Sequence, residues 1–329
     1  MVGWSGAGDF ADFERTVARK LRASAGDAGR IGDTLLVAAQ DPVAASRSLA
    51  FLPGVAWIAV GYRFSGTEGY LKNLVLLGRR YLSTRRTFKI SAQVTSAKQT
   101  AGDAVLAGNS ELLSSIPGAR VDERKPNVRF RVCIQGVRGA CGAEIRAGPG
   151  GLPTGAGWVS CLVSGGERSS AMAWMAALSG FSLRLVHSRT DEAALRRVAK
   201  LYSELSFRMD SRSLELVLLE GGNDPYRRIG GWLRDNRGLA LAGLRPGRPD
   251  DLTKLAKHFP NLALPLILVQ DGGISEIHRS LGLGRAPRAA GEGGLTLRAL
   301  ETRAPYSERK FGGIEADSNA VIDTLKKAG

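Results

Sequence analysis

Between residues 158 and 281 the sequence alternates short apolar runs with longer amphipathic ones. The strand candidates are 158–163, 181–187, 213–219, 239–244 and 264–269. The helix candidates between and after them are 169–179, 191–206, 226–236, 251–259 and 274–281. A strand that is apolar nearly throughout is buried on both faces. A helix after each strand supplies that cover, so the pattern predicts a doubly wound parallel sheet of the α/β class. Ligands of such sheets bind beyond the carboxyl ends of the strands. The first of those ends here runs into Ser164-Gly165-Gly166 and then into a helix start. Glycines let backbone N–H groups converge, and a helix N-terminus adds partial positive charge, so the turn is a candidate anion site.

The chain before this region has another character. Phe10, Phe13, Val17 and Leu21 share one face of a helix predicted over 10–24. A strand is predicted at 34–39, a helix capped by Asp41 and running through Leu49, and a strand at 54–63. Further on, helices are predicted at 67–82 and 106–116, the second ended by Pro117-Gly118, with a strand at 88–94 between them. Val128, Phe130, Val132 and Ile134 alternate with Arg129, Arg131 and Cys133, the mark of a half-buried strand. Residues 139–146 form its hairpin partner, and a Gly/Pro-rich connector covers 148–157. The tail, 286–329, holds room for a final strand and helix and gives no functional reading.

Lys and Arg number 46 against 31 Asp and Glu, a formal charge of +15, which favours a polyanionic partner, nucleic acid first. The cations concentrate. Lys72, Arg79, Arg80, Arg85, Arg86, Lys89 and Lys98 fall close together, and Arg129, Arg131, Arg138 and Arg146 follow on or near the later strands. A solvated cationic surface without a ligand is the competing explanation. Aromatic residues are sparse among these cations (Tyr62, Tyr70, Tyr81, Phe88), so the expected recognition is of RNA backbone and shape rather than stacked bases.

The three cysteines, Cys133, Cys141 and Cys161, form no CxxC pair and lie in or beside apolar runs, so buried thiols are expected. His187, His258 and His278 are scattered, and no metal site is expected. Asp210, Asp224, Asp250, Asp251 and Asp271 lie near predicted strand ends, where helix capping and loop solvation account for them better than metal binding. No apolar run approaches the length of about 18 residues read as a membrane span. The first twenty residues lack a signal-peptide core, so the cytoplasm is the expected location and no membrane partner is expected.

Two motifs carry a family resemblance. Ser164-Gly165-Gly166-Glu167-Arg168-Ser169 resembles the SGGxDS signature of the PP-loop pyrophosphatases. Gly148-Pro149-Gly150-Gly151-Leu152-Pro153 resembles the joint between the THUMP and PP-loop domains of the 4-thiouridine synthetases, tRNA sulfurtransferases also tied to thiamine biosynthesis. The resemblance implies a ferredoxin-like α+β unit over 1–62, a THUMP-like RNA-binding domain over 63–150 and a PP-loop-like (adenine nucleotide alpha hydrolase-like) α/β domain over 151–329. It implies tRNA as partner, ATP with magnesium as cofactor, and a nucleotide held by Ser164, Gly165, Gly166, Arg168, Ser169 and Ser170. The corresponding RNA-binding candidates are Lys72, Arg79, Arg80, Arg85, Arg86, Lys89, Arg129, Arg131 and Arg146.

In that family ATP adenylates a uridine oxygen, and a persulfide cysteine supplies the sulfur that displaces AMP. This sequence departs from the pattern in three places. Arg168 stands where the family has an aspartate, and a cation cannot coordinate magnesium. It can pair with phosphate, or with Glu167 or another acid and so block the site. Tyr226, ahead of Arg227-Arg228, stands where the family has its catalytic cysteine, and no cysteine follows Cys161. The run Gly243 to Asp251 keeps the family's glycines but not its polar residues. No catalytic residue is therefore assigned. The reading is a tRNA-binding relative with degraded adenylation and sulfur-transfer residues, with a nucleotide or a catalytic partner as its remaining ligands. The alternative is an active ATP-dependent tRNA sulfurtransferase fed by an external sulfur carrier. A third is a basic structural protein with no defined RNA.

Overall fold

A computed structural model of the chain describes residues 1–21, 28–82, 86–96, 99–188, 191–220, 224–236, 238–243, 250, 253, 262–263, 271–281 and 307–312. The strand expected at 264–269, nearly all of the helix expected at 251–259, and Arg85, Lys98, Asp251 and His258 lie outside the described residues. The chain divides into two compact units, Met1–Pro153 and Thr154–Gly329.

The first unit is built on one eight-stranded sheet. In chain order its elements are β1 (Val2–Trp4), α1 (Phe10–Leu21), β2 (Ala28–Ile31), β3 (Thr34–Val37), α2 (Pro42–Leu49), β4 (Val55–Ser65), α3 (Gly66–Tyr81), β5 (Thr87–Thr95), α4 (Ala101–Ser115), β6 (Arg120–Val121), β7 (Val128–Gln135) and β8 (Arg138–Ala147). The strand order is β2-β3-β1-β4-β8-β7-β5-β6. β4 joins the halves: its start pairs with β1, and its whole length from Trp57 pairs antiparallel with β8. Residue 62, where the ferredoxin-like part was expected to end, lies inside this strand.

Helices α1 and α2 bury Phe10, Phe13, Val17 and Leu49 against Val2, Leu35, Val55 and Ile58. Helices α3 and α4 bury Tyr70, Leu74, Leu77 and Leu112 against Phe88, Ile90, Phe130 and Val132. The register puts Val60, Ala143 and Phe130 on a common side, so the alternation read in the sequence of β7 is the division between helix-covered and opposite faces. On the opposite face the β2–β3 hairpin lays Ile31 and Leu36 over Cys133 and Ala140.

Helix α4 begins earlier than the 106–116 expected. Thr100 and Asp103 form a capping box, with the Asp103 N–H donating to Thr100 Oγ1 at 3.1 Å and the Thr100 N–H to Asp103 Oδ2 at 2.9 Å. Gly102 and Gly108 disguise the helix by propensity. Gly108 is required by packing, since a Cβ there would stand 2.3 Å from the Tyr70 hydroxyl oxygen. That hydroxyl donates to the Ala104 carbonyl at 2.8 Å inside the core.

The second unit holds a six-stranded sheet. Its elements are β9 (Trp158–Leu162), α5 (Glu167–Leu178), β10 (Ser182–Ser188), α6 (Glu192–Arg208), β11 (Leu214–Glu220), α7 (Pro225–Asp235), β12 (Ala240–Ala242), β13 (Leu262–Ala263), α8 (Asp271–Ser280) and β14 (Ser307–Gly312). The order is β13-β12-β9-β10-β11-β14. All pairs are parallel except β11–β14, which is antiparallel. β14 lies in the tail, where the sequence left room for a final strand, and adds an antiparallel edge to the parallel sheet. Residues of α5, α6 and α8 pack on one face, and Trp232 of α7 packs on the other with Val186, Val217 and Leu219. Asp224 caps α7 through Tyr226 N–H at 2.9 Å, and Asp210 caps a 3₁₀ turn over Ser211–Ser213, so both acids do what capping predicts.

Phe130 is fully buried and meets Phe88 edge-on, with ring centroids 6.2 Å apart. Phe130→Ala is expected to destabilise the first unit by about 3–5 kcal/mol, read as a lower denaturant midpoint for that unit in circular dichroism.

Candidate functional site

The sheet of the second unit reverses direction at β9. The chain proceeds from β9 to β10 and β11 on one side, then returns to place β12 on the other. The crevice beyond the carboxyl end of β9 is therefore the topological switch point. The turn Ser164-Gly165-Gly166 occupies it, and α5 begins at Glu167 with Gly166 as its N-cap and no side-chain cap. The helix start leaves N–H groups without intrahelical acceptors. Gly165 has φ +76°, and a Cβ there would lie 2.5 Å from Arg197 Cβ on α6, so both conformation and space demand glycine. Gly243, just after β12, is equally constrained: a Cβ would come within 2.7 Å of the Arg168 carbonyl.

The structure places the expected nucleotide-binding residues together around this turn but gives them unequal parts. Ser164 and Gly166 are exposed. Ser169 and Ser170 are buried, and both hydroxyls donate to the Gly166 carbonyl at 3.0 Å, while the Ser164 N–H donates to Ser169 Oγ at 3.3 Å. Their hydroxyls brace the turn. Arg168 is also buried, at 7% exposure. The exposed side chain of the first turn is Glu167, whose Oε2 accepts from Ser275 Oγ of α8 at 3.0 Å and whose Oε1 lies 4.0 Å from His278 Nδ1.

His187, at the end of β10, joins the site from a position where the sequence showed only an isolated histidine. Its Nδ1 lies 2.8 Å from the Val163 carbonyl, so Nδ1 carries the proton and Nε2 is the acceptor. Nε2 is buried without a partner. Burial holds the imidazole pKa below its ordinary value, against the opposing pull of the Val163 carbonyl and Asp191, so the ring is neutral at pH 7. The turn with its helix start fits a phosphate. Among the described residues no three His, Cys, Asp or Glu side chains cluster as metal ligands.

The three cysteines are all buried. Burial pushes the Cys141 and Cys161 thiols up to about 12 and also raises Cys133, whose Sγ donates to Thr34 Oγ1 at 3.2 Å. All three are therefore protonated at neutral pH, and a protonated, inaccessible thiol is no nucleophile.

The structure does not bring the expected RNA-binding cations into one patch. Lys72, Arg79 and Arg80 project together from the exposed side of α3, opposite its buried Tyr70, Leu74 and Leu77. Arg86 is exposed just beyond, its Nη1 donating to the Tyr81 carbonyl at 3.2 Å. Lys89, Arg129 and Arg131 lie on the other face of the sheet, because strand side chains alternate and Phe130 and Val132 take the helix side. There Lys89 pairs with Glu123 at 2.9 Å, and Arg131 pairs with Glu144 at 2.8 Å while stacking on Trp57 at 4.5 Å. Arg131 is thus a structural clamp. Its partner Glu144 was invisible beforehand, since only the β7–β8 register makes them neighbours. Arg146 is exposed on β8 opposite Ile58. No helix among the described residues is long and apolar enough to cross a membrane.

Comparison with known proteins defines the class first. The two-unit architecture is the fold of the 4-thiouridine synthetases, so the likeness first seen in two glycine motifs extends to most of the chain. The chain matches the crystal structure of PH1313 from Pyrococcus horikoshii with a TM-score of 0.68, at 19% identity, over 85% of this chain and 98% of that one. It matches a 4-thiouridine synthetase, crystallised as an RNA complex with bound ATP, with a TM-score of 0.66, at 20% identity, over 86% of this chain and 84% of that one. A 59-residue stretch is 46% identical to a tRNA sulfurtransferase of Pyrobaculum aerophilum, covering 18% of this chain and 12% of that protein's length. No protein-family model matches.

Iodoacetamide at neutral pH is expected to leave the folded protein unmodified and to add three groups once it is denatured, read by intact mass. The raised thiols carry a sign for stability. Above the unfolded value of about 8.5 the unfolded chain loses protons that the folded one keeps. Stability should therefore fall as pH rises toward 12.

Proposed function

We propose that this protein binds tRNA through its first unit and is a relative of the 4-thiouridine synthetases in which adenylation and sulfur transfer are degraded. The observation that carries this reading is the state of the thiols. Every cysteine of the sequence is buried and protonated, so these residues hold no candidate for the persulfide-forming nucleophile. The buried Arg168 in the first turn of α5 and the exposed Glu167 at its mouth point the same way, since an acid there repels a phosphate. In this reading 1–62 is a ferredoxin-like part, 63–150 a THUMP-like RNA-binding part and 151–329 a PP-loop-like domain, acting in the cytoplasm.

The support for RNA is electrostatic and architectural. The chain carries a formal +15, exposed cations line α3, and the fold matches that of a synthetase crystallised with RNA. Phosphate contacts release counterions, so such binding weakens steeply with salt. A second reading, an active sulfurtransferase that takes sulfur from an external carrier, draws on the preserved glycine turn and on the buried, unpartnered Nε2 of His187.

ATP–pyrophosphate exchange separates the two. The purified protein is expected to show none, and exchange above background returns the enzyme reading. Arg168→Asp is expected to confer nucleotide binding, measured by calorimetry, that the natural chain lacks. For the RNA face, Lys72→Ala, Arg79→Ala and Arg80→Ala combined should lower tRNA affinity and reduce the slope of log K against log salt by about 3. Unchanged filter binding removes α3 from the interface.

A further inference from the structure

The outer side of the α3–α4 layer carries leucines at positions where a solvated helix carries polar residues. Leu106 is 72% exposed, Leu113 47% and Leu76 45%. On α4 the exposed Asp103, Leu106, Ser110 and Leu113 recur at three- and four-residue spacing and form one stripe directed away from the sheet. On α3 the corresponding stripe is Glu68, Lys72, Leu76, Arg79 and Arg80. The core takes Tyr70, Leu74, Leu77 and Leu112 from the other sides of the same helices. Strands β4, β5 and β7 share one direction, so α3 and α4, which connect them, run side by side in the same direction. A Cβ on Gly108 would meet Tyr70 and Leu74, and one on Gly78 would meet Leu112 and Ile116. Those contacts set the heights: Leu76 stands level with Ser110, between Leu106 and Leu113.

Charge divides between the two helices. α3 carries Lys72, Arg79 and Arg80 against Glu68, whereas α4 carries Asp103 and Glu111 and no Lys or Arg. RNA phosphates would satisfy α3, but they would meet the acids of α4 and leave its leucines in water. A surface basic on one half, acidic on the other and apolar along both complements itself under a two-fold rotation. With the axis parallel to the helices, heights are kept and the helices exchange. α3 then lies on α4 of the other copy, and Leu76 enters between the partner's Leu106 and the partner's Leu113. Lys72 and Arg79 come near the heights of the partner's Asp103 and the partner's Glu111. Exposed apolar groups rimmed by charge are the usual mark of such a contact.

We infer that two copies of this chain associate through their α3–α4 layers when no RNA is bound. The tRNA reading uses the same three cations of α3, so tRNA and the second copy are alternative occupants of that helix. The dimer does not depend on that reading, because its leucines and acids lie outside the proposed RNA contacts.

The test is sedimentation of the full chain, freed of nucleic acid, over a concentration series. A reversible monomer–dimer equilibrium is expected. Leu106→Glu with Leu113→Glu should raise its dissociation constant by about tenfold or more, since the pair removes apolar contact from both halves of the interface. Both positions are exposed, and thermal melts by circular dichroism check that the variants fold. Arg79→Glu alone and Glu111→Lys alone should each weaken the dimer, and the two combined should restore it, because exchanging the signs keeps the pairing. A chain that stays monomeric overturns the inference and leaves the leucines to another partner. A dimer indifferent to the leucine pair also overturns it, because association then uses another surface. Neither result bears on tRNA binding, which is measured separately.

Discussion

The first unit depends on one ladder. β4 runs for 11 residues and pairs with β1 at its start and with β8 from Trp57 to Ser65. Without that ladder neither helix pair has a complete floor, because α1 and α2 need Val55 and Ile58 while α3 and α4 need the strands on the other side of it. The approach of the two strands is close. A Cβ at Gly61 would fall 1.9 Å from the Cys141 carbonyl oxygen, so glycine is the residue that lets them meet. The same register decides the distribution of charge. It holds Arg131 against Glu144 and leaves Arg138 beside Ser65 at the rim.

The second unit is organised by the reversal of strand order at β9. A parallel sheet offers a crevice where neighbouring connections leave in opposite directions, and the glycine turn sits in that place. What surrounds the turn has been turned inward. Two serine hydroxyls brace the Gly166 carbonyl, α6 closes on Gly165, and Gly243 lies under the first turn of α5. The scaffold for an anion is present, and among the described residues no three His, Cys, Asp or Glu side chains cluster as metal ligands beside it.

Much of this was legible in the sequence because it follows from local rules. Strands β9 to β12 announced themselves as apolar runs, Asp41 and Asp224 as caps, and β7 by its alternation. What escaped depends on contacts remote in sequence. The antiparallel direction of β14 against β11 depends on a remote pairing, and the first turn of α4 was missed because Gly102 and the packing-required Gly108 lower its helix propensity. The cations of residues 72–146 read as one cluster, yet a strand period of two and a helix on one face separate them onto opposite sides of the sheet. The inward turn of Ser169 and Ser170 was equally unreadable, since a motif fixes residue types and not the direction of a hydroxyl.

The sequestered thiols carry a practical corollary. A chain whose native sulfhydryls are all shielded does not need them replaced before spectroscopy. A single cysteine introduced at an exposed position, such as Ser110 or Gln135, becomes the sole attachment point for a fluorophore or spin label. Distances to a bound partner can then be measured on an otherwise unaltered molecule.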